Sequence, residues 1–81
     1  MAIYIQINRI EDDSTAAIYE FGPIDSIAGT VLIDKESGNV SLLAIAVDQE
    51  KRVSFYLPRI EIVLHRHHAQ KCYPERTWYA A

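Results

Sequence analysis

Residues 2–10 alternate between apolar and polar positions. Ile3, Ile5 and Ile7 fall on one side and Tyr4, Gln6 and Asn8 on the other, the period of a β-strand. The polar stretch Glu11-Asp12-Asp13-Ser14 then turns the chain. Residues 15–21 repeat the pattern, with Ala17, Tyr19 and Phe21 opposite Ala16, Ile18 and Glu20, and Gly22-Pro23 breaks it. Residues 26–33 read as a third strand in which Ile27, Gly29, Val31 and Ile33 share a face. Ser37-Gly38-Asn39 marks a turn whose glycine supplies a positive φ, and residues 40–47 form the fourth strand. This short, regular spacing predicts consecutive antiparallel pairing, a β-meander.

The period changes beyond the polar run at 48–52. Tyr56, Ile60, Val63, Leu64 and His67 make one helical stripe, predicting a helix over 56–71 with Pro58 in its first turn. A strand through Ile60, Ile62 and Leu64 is the alternative, but the run to Lys71 is long for one. The tail at 73–81 carries Trp78 and Tyr79, and burying a large side chain is worth about 1.5–3 kcal/mol, so it is expected to fold back onto the core. The fold class is α+β: a four-stranded antiparallel meander with one C-terminal helix across one face and an aromatic tail. A single helix covers a single face. The other presents Tyr4, Ile18 and Leu32, to be covered by the tail or by a partner.

At 81 residues the chain has room for one small domain with a thin core. The net charge of −3 opposes a nucleic-acid role, although Arg59, Arg66, Lys71 and Arg76 could form a basic strip. No run is apolar enough for a membrane span, and the N-terminal stretch lacks the features of a signal peptide. The lone Cys72 cannot close an internal disulfide, which suits a reducing, cytoplasmic setting.

Candidate chemistry concentrates in two places. His65, His68 and Cys72 lie at i, i+3 and i+7 of the expected helix, and imidazole and thiolate are good zinc ligands. A fourth ligand is missing, and the simpler reading is a cationic helix end with His67 tucked against the sheet. The same helix end sets its dipole against activation of Cys72 as a nucleophile. Glu61 and His65 make an ordinary i, i+4 contact. No glycine-rich phosphate loop, nucleophile elbow or cofactor motif is present, so neither an enzyme nor a bound cofactor is expected. The second place is acidic. In a meander alternate turns share one end, so Glu11, Asp12 and Asp13 should neighbour Asp34 and Glu36, a rim able to steer a basic partner.

Four segments carry a resemblance: the opening Met-x-Ile-Tyr-Ile-x-Ile-x-Arg-Ile, residues 17–23 (Ala-Ile-Tyr-Glu-Phe-Gly-Pro), residues 33–40 (Ile-Asp-Lys-Glu-Ser-Gly-Asn-Val) and residues 73–77 (Tyr-Pro-Glu-Arg-Thr). Together they resemble a family of small, largely uncharacterised bacterial proteins over nearly the whole length. Its members end in a helix and an aromatic-Pro-Glu-basic-Thr tail, then a Trp and an Ala; Trp78 and Ala80 hold comparable positions, with Tyr79 between. The His65–His68 run is richer in histidine than that pattern and reads as local decoration. The resemblance assigns no functional residue. In size and fold type the chain is also similar to immunity proteins of bacterial toxin–immunity systems, an analogy at the level of fold. It implies a non-catalytic module that binds and neutralises a cognate toxin domain; the acidic turns and the open sheet face offer Asp12, Asp13, Asp34, Glu36 and Tyr4 as contacts for a basic one. The alternatives are a homodimer joined through the open sheet face or an edge strand, and a small metal-binding protein using His65, His68 and Cys72.

Overall fold

The alternation in the sequence is realised as an antiparallel sheet. A computed structural model describes residues 3–81. Strands β1 (Tyr4–Asp12), β2 (Ala16–Gly22), β3 (Gly29–Asp34) and β4 (Val40–Ile45) pair consecutively. A 3-10 turn (Val47–Arg52) leads into helix α1 (Val53–Ala69). The tail is then a fifth strand, β5 (Arg76–Ala80), antiparallel to β1, giving the order β4-β3-β2-β1-β5. The expectation of four strands is corrected here: the tail does return to the core, with Thr77 and Tyr79 against it, but as a strand of the sheet. The tail satisfies its backbone by pairing with the free edge of β1, which a lid over a sheet face could not do.

Ile5, Ile7, Tyr19, Phe21, Val31 and Ile33 form one face of the sheet and are buried. Tyr56, Ile60, Val63 and Leu64 of α1 close over them, with the Phe21 and Tyr56 rings 5.4 Å apart. The helical stripe and the strand phases of the sequence therefore meet in one core.

Several boundaries differ. The expected start of the first strand at Ala2 lies outside the described residues. A bulge at Ile10, between Arg9 and Glu11, lets β1 run on to Asp12. The third strand begins at Gly29 rather than 26, because Pro23 accepts a hydrogen bond from the Ser26 N–H and starts a loop. Ile27 is consequently exposed in that loop and does not share the face of Val31 and Ile33. The fourth strand stops at Ile45, before the 3-10 turn. Pro58 sits in the second turn of α1, not the first. Arg59 Nη1 donates to the Phe55 carbonyl (2.8 Å) in this proline-disturbed turn, and its guanidinium stacks on the Phe55 ring. The helix ends at Ala69, two residues early. Cys72 N–H bonds to His67 O and Lys71 N–H to His68 O, a Schellman closure with Lys71 at φ 53° in the position glycine usually takes.

Candidate functional site

The segment after α1 is bound to the sheet by its own motif. The Arg9 guanidinium donates to the Tyr73 carbonyl, and the Tyr19 hydroxyl to the Pro74 carbonyl (2.8 Å). The Arg9 N–H bonds to Glu75 O, and His67 Nε2 and Thr77 Oγ1 lie 2.8 Å apart. His68 Nδ1 and the Tyr73 hydroxyl share a 2.6 Å hydrogen bond, while Lys35 stands over the Tyr73 ring. Gly38 lies beneath His68. Its φ is +81°, and a Cβ there would come within 2.7 Å of the imidazole, so both the turn and the ring contact require glycine. The four segments singled out in the sequence thus converge on one clasp that fastens α1 and β5 to the sheet. Burial pushes the Tyr19 hydroxyl up to about 12, which keeps it a neutral donor.

The clasp also disposes of the histidine run. His67 and His68 are engaged as described, His65 is exposed, and Cys72 has left the helix beyond the Lys71 turn. The i, i+7 relation of His65 and Cys72 therefore does not form. Among the described residues no three His, Cys, Asp or Glu side chains are grouped to hold a metal ion.

The acidic turns do lie together: Lys35 N–H bonds to Thr15 O, and Lys35 pairs with Asp12. Three of their carboxylates have duties within the fold. Asp13 Oδ1 accepts from the N–H groups of Thr15 and Ala16 and from the Thr15 hydroxyl, and Asp34 Oδ1 accepts from Glu36 and Ser37 N–H. These bonds hold both carboxyls below the usual carboxylate range. Asp12 joins Arg9 as well as Lys35. Of the acidic candidates, Glu36 keeps an exposed side chain without such a duty.

The uncovered sheet face remains. Tyr4 (45% exposed) and Trp78 (56%) stand at one end, on β1 and β5. Across the middle run Arg76, Asn8, Glu20, Thr30 and Ala44, neighbours through successive strand pairs. Ile18 and Leu32, half-buried, lie toward the acidic turns, beside Glu11. A shallow concavity of about 850 Å³ crosses β5, β1 and β2, lined by Tyr4, Gln6, Asn8, Glu20, Arg76 and Trp78. No family model, curated protein or solved structure matches this chain. No helix among the described residues is long and apolar enough to cross a membrane.

Sequence reasoning placed Tyr4, Gln6 and Asn8 on this face through the period of β1 and Glu20 beside Ile18, but gave Glu20 no binding role, offered Arg76 only to a basic strip and left Trp78 in the tail. The signal for Glu20 was its phase opposite Tyr19. Trp78 and Arg76 could be assigned only once the tail was known to be a strand.

The titrating groups set a pH dependence. Burial, then the nearby Arg66 charge, lowers the His67 pKa below its ordinary 6.5. The unfolded chain therefore takes up this proton first, and stability falls as pH drops through 6.5 until folded His67 is itself protonated. Asp13 and Asp34 contribute stability that is present above 3.8 and is lost as pH falls through their lowered folded values. Thermal melting followed across pH is expected to show both declines. His67→Gln should remove the upper one. Asp13→Asn with Asp34→Asn, which keep an oxygen acceptor, should flatten the lower one. A melting temperature level from pH 7 to 5 would contradict the His67 assignment.

Proposed function

We propose that this chain is a non-catalytic protein-binding module that receives its partner on the uncovered sheet face. The observation carrying this reading is that face itself, where Tyr4 and Trp78 stand half exposed next to the Gln6, Asn8 and Glu20 row. Aromatic anchors inside a polar surround are the composition of interface hot spots. Glu11, Asp12, Glu20 and Glu75 outnumber Arg9 and Arg76 around the concavity, an acidic bias suited to a basic partner. Its concrete form is an immunity protein that neutralises a bacterial toxin domain. The fastening duties of Asp12, Asp13 and Asp34 shift the binding role toward Tyr4, Glu20 and Glu36.

The test is a survival assay. The C-terminal domain of a large secreted protein, where one is encoded beside this gene, is expressed with and without the protein. Survival restored by the wild type supports the reading. Equal killing in both cultures contradicts the immunity form.

A further inference from the structure

Strands β4 and β5 are the two edges of the sheet, and they are guarded differently. In β4 the register slips at Leu43, a bulge that twists an edge away from pairing. In β5 the residues Arg76–Ala80 keep continuous register with β1, contain no proline or lysine, and carry Arg76 as their single charge. Reciprocal bonds between Ile3 and Ala81 fix the phase of this ladder, so Tyr79 and Thr77 point their backbone groups at β1. The N–H and C=O groups of Arg76, Trp78 and Ala80 therefore point outward. No strand among the described residues pairs with them.

The geometry points to a second copy of this chain as the occupant of that edge, β5 pairing antiparallel with β5 about a two-fold axis at Trp78. This goes beyond the partner-binding reading and stands apart from it. The edge is complementary to itself. Trp78 faces Trp78, and Arg76 faces Ala80, so no like charges meet. Each of these facing positions is a hydrogen-bonded pair, which satisfies all the outward groups at once. The paired exposed indoles supply the apolar contact that backbone bonds alone lack. The axis is perpendicular to the sheet, so both helices lie on one side and both open faces on the other, joined into one surface.

Light scattering after size exclusion, over a concentration series of untagged full-length chain, tests this. The wild type is expected to approach twice 9.2 kDa with rising concentration. Trp78→Lys, which sets like charges against each other on the axis, should stay monomeric with an unchanged circular dichroism spectrum. Ile10→Glu, at the exposed bulge of β1 beyond its last pair with β5, should still dimerise. A wild type monomeric throughout, a dimer that survives Trp78→Lys, or one abolished by Ile10→Glu would overturn the proposal. Should Trp78→Lys fail to fold, amide exchange of the wild type decides. The Arg76, Trp78 and Ala80 amides should slow with rising concentration while Thr77 and Tyr79 do not; no concentration dependence overturns it. The readout uses this chain alone, so its failure leaves the partner-binding reading intact.

Discussion

A chain cut after Cys72 is expected to be unfolded. It loses the whole β5 ladder, the buried Thr77 and the half-buried Tyr79 that pack beside the core. The Tyr19 hydroxyl loses the Pro74 carbonyl, and Arg9 loses its bonds to Tyr73 and Glu75. Each polar group orphaned in a buried setting costs about 1–3 kcal/mol, and each large apolar side chain removed from the core about 1.5–3 kcal/mol. A domain of 81 residues has a net stability of roughly 4–12 kcal/mol, so these losses together exhaust it. Circular dichroism should show a chain without a cooperative thermal transition. A truncated chain that still melts cooperatively would mean that β5 is an accessory and the clasp dispensable.

The second large effect concerns binding. Tyr4→Ala removes an exposed aromatic anchor, worth about 2 kcal/mol at an interface centre, or roughly 30-fold in affinity. Glu20→Lys reverses the charge in the middle of the same face. The two together should weaken the partner by at least about 100-fold. The protein's own stability should move by no more than about 0.5 kcal/mol, because Tyr4 is half exposed and Glu20 has no ion-pair partner among the described residues. Loss of binding with retained folding separates this face from the clasp, whose disruption would affect both.

Much of the fold was legible in the sequence because local periods and burial agree. The alternation around Ile5, Tyr19 and Val31 and the stripe through Tyr56, Ile60, Val63 and Leu64 name the buried residues directly. The tail was less legible. Trp78 and Tyr79 advertise apolar area, and area alone does not tell a lid from an edge strand; the pairing with β1 is a long-range backbone fact. The helix end was hidden because Lys71, not glycine, takes the left-handed position. That one turn also separates Cys72 from the histidines it appeared to join. The acidic turns were placed together, but a carboxylate's local duty depends on which N–H groups face it. Asp13 and Asp34, candidates for partner binding by type and position, therefore carry a second duty that their sequence does not display, stapling their own turns.

The measurement that tests the account most directly is calorimetric titration of the toxin domain identified by the survival assay into three forms of the protein. These are the wild type, Tyr4→Ala on the open face and Ile62→Ala on the exposed side of α1, and the two variants remove comparable apolar area from opposite sides of the molecule. Binding weakened roughly 30-fold by Tyr4→Ala and unchanged by Ile62→Ala is the predicted result. Binding indifferent to Tyr4 but weakened at Ile62 would move the functional surface to the helix and contradict the account.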